Sequence, residues 1–89
     1  SFAPCPQRLE NLRGIDPKTL QNQKLRDDLA VIEADMKGDG RILVRPSGTE
    51  PLIRVMVEAD SDTLVTRTMG ALILRIQQEV GNNQIKTAN

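Results

Sequence analysis

Histidine is absent from the 89 residues. That removes the commonest acid–base side chain at neutral pH and the commonest metal ligand. Tryptophan and tyrosine are absent as well, and Phe2 is the only aromatic residue, so a platform for stacking nucleic-acid bases cannot be assembled. The single cysteine, Cys5, excludes an internal disulfide and a cysteine-rich metal site. Neither sign of charge is in excess, with 12 Lys+Arg against 12 Asp+Glu and a pI near 6.2. A broad nucleic-acid surface needs clustered surplus cations, so no nucleic-acid partner is expected. No apolar run approaches the ~18 residues that span a bilayer, and no membrane is expected either. The chain opens on Ser1 without a basic-then-apolar leader. It is expected to be a cytoplasmic, soluble piece of a longer chain, with residues 1–89 forming one domain.

What is present is a set of clear periodicities. Leu25, Leu29, Ile32 and Met36 fall on one stripe of a 3.6-residue repeat. Asn22 is placed to cap that helix, Asp27 and Asp28 lie near its positive end, and Gly38 and Asp39-Gly40 are placed to end it and turn the chain. Arg41–Arg45 and Leu52–Ala59 alternate as strands. In the second, Ile53, Val55, Val57 and Ala59 form a uniformly apolar set that should face the helices, and Arg54 goes to the opposite face. Pro46 and Pro51 bracket the intervening loop, and neither is expected to continue a ladder. A second helix should start after Ser61 and bury Val65, Met69, Leu72, Ile76 and Val80, ending at Gly81-Asn82-Asn83. Gly70 in its middle is expected to mark a close packing contact, and about 82–89 a disordered tail. At the start, Pro4 and Pro6 favour an edge strand over Gln7–Arg13, although Leu9 and Leu12 also suit a helical turn. The expected order is β-α-β-β-α: an α/β (α+β) domain whose small, mostly antiparallel sheet carries two helices on one face.

Chemistry concentrates in Arg45-Pro-Ser-Gly-Thr-Glu-Pro-Leu-Ile-Arg54. Ser47 and Thr49 supply hydroxyls, and Gly48 leaves its backbone N–H open to approach. Arg45 and Arg54 flank the loop with guanidinium groups suited to a bidentate grip on phosphate. Two prolines restrain the loop and so reduce the entropy lost on binding. Donors, cations and restraint together describe an anion site, most naturally for a phosphate dianion. The same composition also serves an ordinary loop between strands, with solvated arginines at its ends. It is not a Walker loop, because no Lys follows the glycine and the segment leads into a strand.

The run Gly40-Arg-Ile-Leu-Val-Arg-Pro-Ser-Gly-Thr-Glu-Pro-Leu-Ile-Arg-Val-Met-Val-Glu-Ala59 resembles the C-terminal phosphate-binding signature of the α-D-phosphohexomutases. Its Leu-Ile-Arg-Val-Met-Val-Glu continuation is most similar to the members that act on glucosamine phosphates. Pro6-Gln-Arg-Leu-Glu-Asn-Leu-Arg13 resembles the family's Pro-Gln-x-Leu-x-Asn-Val-Arg strand. Gly14 stands where the family usually has an apolar residue, and Arg8 and Glu10 are more polar than is common; these departures bear on the first strand and not on the loop. The resemblance implies a TATA-binding-protein-like shape and a domain that holds the phosphate of a phosphosugar substrate through Arg45, Ser47, Gly48, Thr49 and Arg54. It also implies that the phosphorylated serine, the Mg²⁺ loop and the sugar-specificity loop belong to other domains of the same chain, which are its partners. No catalytic residue and no metal ligand is expected here, and the isolated domain is expected to be inactive. A domain acting on glucose or mannose phosphates, or a stand-alone phosphate- or protein-binding module, remain alternatives.

The remaining features read as structural. Ser47 has no adjacent base and is expected to donate a hydrogen bond, not to act as a nucleophile. Glu50 is expected to fix the loop by accepting from backbone or arginine donors. Met56 and Met69 are core or interface filler. Asp60 and Asp62 beside a helix start compensate its dipole, and Cys5 lacks a basic neighbour that would activate it.

Overall fold

The computed structural model describes residues 5–88, with side chains placed through Gly81. The strand β1 (Gln7–Arg13) leads through a short 3-10 helix (Pro17–Gln21) into α1 (Gln23–Ala34). Then come β2 (Gly40–Pro46), β3 (Leu52–Ala59) and α2 (Asp62–Ala88). The three strands form one antiparallel sheet in the order β1-β3-β2. This is the α+β arrangement that the periodicities predict, β-α-β-β-α. None of the described helices is long and apolar enough to cross a membrane.

The helix side of the sheet holds the core. Ile53, Val55 and Val57 are fully buried, and Ala59 nearly so. They pack with Leu25 and Leu29 of α1 and with Val65, Met69, Leu72 and Ile76 of α2. Asn22 caps α1, its Oδ1 accepting the Leu25 N–H at 3.0 Å. Lys37 and Gly38, both at positive φ, end the turn that follows α1. At Gly40 a side chain would collide with Met36 and the Glu58 carbonyl, so glycine lets β2 start tight against the core. Ser61 caps α2 through the Leu64 N–H at 3.1 Å.

Four expectations need correction. First, Pro46 is the last residue of β2, paired with Ile53. The Ile42 N–H donates away from β3, to Glu33 Oε2 at 2.9 Å. Pro46 lies four residues on and shares that outward side, so its missing N–H removes no ladder bond from this edge strand. Second, α2 does not stop at Gly81-Asn82-Asn83 but continues to Ala88. Gly81 has no positive φ, and without a left-handed residue a glycine weakens a helix without ending it. Third, Gly70 is exposed, and a side chain there would meet nothing within 4 Å, so it marks no packing contact. Fourth, the 3-10 helix was absent from the expected order. Its signal is present in Asp16-Pro17: Asp16 Oδ1 accepts the Lys18 N–H at 2.9 Å, and proline needs no N–H in a first turn.

A polar network ties the two helices together. The Arg75 guanidinium donates to Asp28 at 2.6 Å and to Glu79 at 3.1 Å. Buried Glu79 also accepts from Asn22 Nδ2 at 2.9 Å. The hydrogen bond to Asp28 raises the Arg75 pKa above the ordinary arginine value; burial opposes it and Glu79 reinforces it.

Candidate anion site on the open sheet face

The face of the sheet away from the helices carries four arginines in register. Arg13 lies opposite Leu52, Arg41 opposite Glu58, and Arg45 opposite Arg54. Two of these have carboxylate partners: Arg41 meets Glu58 and Arg13 meets Glu50, each at 2.9 Å. Arg45 and Arg54 have none among the described residues. Like charges directly across an antiparallel pair stand about 5 Å apart at Cβ and destabilise the sheet. An exposed pair of this kind contributes nothing to folding and leaves two guanidinium forks facing one volume.

The loop beside them is held by its own backbone. Ser47 N–H donates to the Leu52 carbonyl at 3.0 Å, and Leu52 N–H to the Glu50 carbonyl at 2.8 Å. Ser47 Oγ accepts the N–H groups of Thr49 and Glu50, each at 3.3 Å. This Ser-turn geometry organises the loop and leaves the hydroxyl hydrogen free to donate. Gly48 has open space around it and no positive φ. Neither packing nor backbone conformation requires glycine there, and among the described residues its N–H has no protein partner.

Two contacts from the end of β1 and the residue after it complete the loop's support, and no local pattern in the chain signals them. Glu50 accepts from Arg13 Nη1 as the reading of that residue expects, but from a strand 37 positions away. Gly14 N–H donates to the Pro51 carbonyl at 2.9 Å, and its φ of 77° lets the chain turn directly after Arg13.

Arg45, Ser47, Gly48, Thr49 and Arg54 line one concavity of about 540 Å³, together with Gln7, Leu9, Leu43, Pro46 and Met56. All five candidate residues are therefore neighbours in space. A second groove of about 510 Å³ lies between α1 and the outer edge of β2 and includes Leu29, Ile42 and Val44. It is more apolar in lining, and its cations, Lys18 and Arg26, share it with the Glu33 carboxylate. Among the described residues no three His, Cys, Asp or Glu side chains converge on a point that could hold a metal ion. The concavity at the loop is cationic and repels one, so magnesium does not fit this site.

The family model for the phosphoglucomutase/phosphomannomutase C-terminal domain matches residues 7–74. The chain belongs to that family. Its phosphohexomutase relatives include the phosphoglucosamine mutase of Bacillus cytotoxicus, 48% identical over 77 residues. That match covers 85% of this chain and 17% of the relative; the corresponding enzyme of Bacillus mycoides matches to the same extent. The chain thus spans about a sixth of the length of these curated relatives. Among solved structures, an N-acetylglucosamine-phosphate mutase of the α-D-phosphohexomutase superfamily, in its product complex, superposes with a TM-score of 0.66 at 26% identity. The match covers 76% of this chain and 14% of that one. The Aspergillus fumigatus N-acetylphosphoglucosamine mutase, solved with GlcNAc-6P and magnesium, gives a TM-score of 0.73 at 19% identity, over 84% of this chain and 16% of that one. At that identity it speaks for the fold alone.

Proposed function

We propose that this phosphohexomutase domain binds the phosphate of a hexosamine phosphate for a phosphoglucosamine mutase. In that reading the full-length enzyme interconverts glucosamine 6-phosphate and glucosamine 1-phosphate. A phosphoserine gives its phosphoryl group to the sugar, and the bisphosphorylated intermediate turns round before the other phosphate returns to serine. The serine, the magnesium ligands and the sugar-reading groups lie in other domains. Arg45 and Arg54 clamp the phosphate that is not being transferred, while Gly48 N–H and the Ser47 and Thr49 hydroxyls satisfy its remaining oxygens. Fixing that remote group holds the reacting end in line, so its binding energy is used in the transition state.

The observation that carries this reading is the Arg45–Arg54 couple, without a carboxylate partner among the described residues and beside free loop donors, while the other open-face arginines have such partners. The similarity to Bacillus phosphoglucosamine mutases supports the choice of sugar.

Steady-state kinetics of the full-length mutase test it. Removing one partner of a desolvated charged contact costs about 2–5 kcal/mol. Arg45→Ala should therefore lower kcat/KM by tens- to thousands-fold, with Arg45→Lys recovering only part. Lys24→Ala on α1 serves as a neutral control. Near-wild-type kinetics for Arg45→Ala would refute the phosphate clamp. Faster turnover of glucose or mannose phosphates than of glucosamine phosphates would reassign the sugar and leave the clamp intact. The isolated 89-residue chain should convert none of these sugars.

A further inference from the structure

The phosphate loop is bolted to the sheet from outside its own hairpin. Within the hairpin, Ser47 and Leu52 close the loop's base. Its outer half, Thr49 to Pro51, is held inside the hairpin through backbone groups alone, by Ser47 Oγ and the Leu52 N–H, and its side-chain tie comes from β1. Arg13 Nη1 holds the Glu50 carboxylate, and Gly14 N–H holds the Pro51 carbonyl, both at 2.9 Å. These two donors are consecutive in sequence and grip consecutive loop residues. Glu50 N–H is in turn one of the two donors fixed by Ser47 Oγ. Displacing Glu50 therefore disturbs the turn that presents Gly48 and Thr49.

We infer that Arg13 and Glu50 are positioning residues for the anion site, and that their ion pair sets phosphate affinity by holding the loop in its binding shape. The inference rests on the phosphate-binding reading of that loop. It assigns no contact with phosphate to either residue. Arg13 is engaged by Glu50 and lies opposite Leu52, one position along its face from the row of Arg54 and Arg45.

The latch makes a prediction opposite in sign to simple electrostatics. Glu50 is a carboxylate close to a cationic site, so deleting its charge should strengthen anion binding if only the field mattered. If the latch matters, the same deletion should weaken binding, because a loosened loop must be ordered at the moment of binding. Both partners are well exposed, at 69% and 53%. An exposed pair is a weak tie, and the expected change is about two- to fivefold.

The experiment is a titration of the 89-residue chain with inorganic phosphate, followed by backbone amide NMR shifts, with thermal melts alongside. Glu50→Ala should bind about two- to fivefold more weakly than wild type while the β1 and β3 amides and the melting temperature stay close to native. The exchanged pair, Arg13→Glu with Glu50→Arg, keeps the net charge and should bind within twofold of wild type. Unchanged or tighter binding by Glu50→Ala would overturn the latch, as would failure of the exchanged pair to recover affinity. Arg45→Ala in the same titration separates this inference from the reading beneath it. If Arg45→Ala binds phosphate as wild type does, the site itself is misassigned. If it abolishes binding while Glu50→Ala binds more tightly, only the latch is wrong.

Discussion

The two faces of one sheet follow different rules. On the helix side of β3, Ile53, Val55, Val57 and Ala59 are closed off from water in one core cluster with residues of both helices. Every side chain there serves packing, and none carries a charge. On the open side, Arg45 faces Arg54 across the central pair with no carboxylate partner among the described residues, and Leu9 and Leu43 are 60% and 41% exposed. A domain this small has limited stability to spare, so side chains that do not contribute to folding are informative. The alternation of a strand allows this division: successive residues go to opposite faces, and one segment serves the core and a binding site at once.

Truncation on the helix side should give the largest effect. Ile53→Ala empties a fully buried position and should cost about 2–5 kcal/mol, read as a large drop in the urea midpoint or outright loss of a cooperative transition. A similar loss from truncating exposed Leu9 would erase the distinction between the faces. Next comes the network that joins the helices. Arg75→Met leaves buried Glu79 with only Asn22, and Asp28 with no partner from α2. The expected loss is about 1–2 kcal/mol. Because Asp28 raises the Arg75 pKa in the folded state, the arginine's contribution is complete at every pH below the ordinary arginine value and fades only as pH rises through the raised one. The cost of Arg75→Met should thus be equal in urea melts at pH 6 and pH 9. A cost that changes across that range would point to another group.

Smaller effects sharpen the contrast in the other direction. Gly70→Ala fills open space on an exposed helical turn and should stabilise the domain by about 0.5–1 kcal/mol. A loss on thermal melting would mean that α2 needs the glycine for a contact these residues do not make. The smallest change in stability belongs to the site. Arg45→Ala removes one of two like charges set directly opposite each other, and its melting midpoint should stay equal or rise by a few tenths of a kcal/mol's worth. Clear destabilisation would mean that Arg45 supports the fold and that the open face is not spared from that work.

Most of the fold was legible because it rests on local periodicity. The 3.6-residue stripe from Leu25 to Ile32, the two-residue alternation from Leu52 to Ala59, and the caps at Asn22 and Ser61 are near-neighbour patterns, and each sits as expected. The helix α1 ends at Ala34, earlier than Gly38, and buried Met36 joins the core from the turn that follows. The loop's composition marked the candidate site for the same reason. The misreadings share a cause. Pro46 looked unable to join a ladder because the chain alone does not say which side of β2 faces β3. Gly70 and Gly81 were read by residue type, whereas their effects depend on the space around them and on φ.

By itself, then, the sequence determined the order of the main strands and helices, the faces of β3, and the residue types gathered between Arg45 and Arg54. Tertiary structure decided how they meet. The antiparallel register set Arg45 opposite Arg54 and gave Arg41 a counterion in Glu58. Placing β1 on the far side of β3 brought Arg13 and Gly14 to the loop across 37 residues. The packing of α1 on α2 joined Asn22 to Glu79 across 57. Periodicity specifies which way a side chain points, because it is a property of a few consecutive dihedral angles. Which charge stands opposite which is a property of register and strand order, and those are fixed only when distant segments close on a shared core.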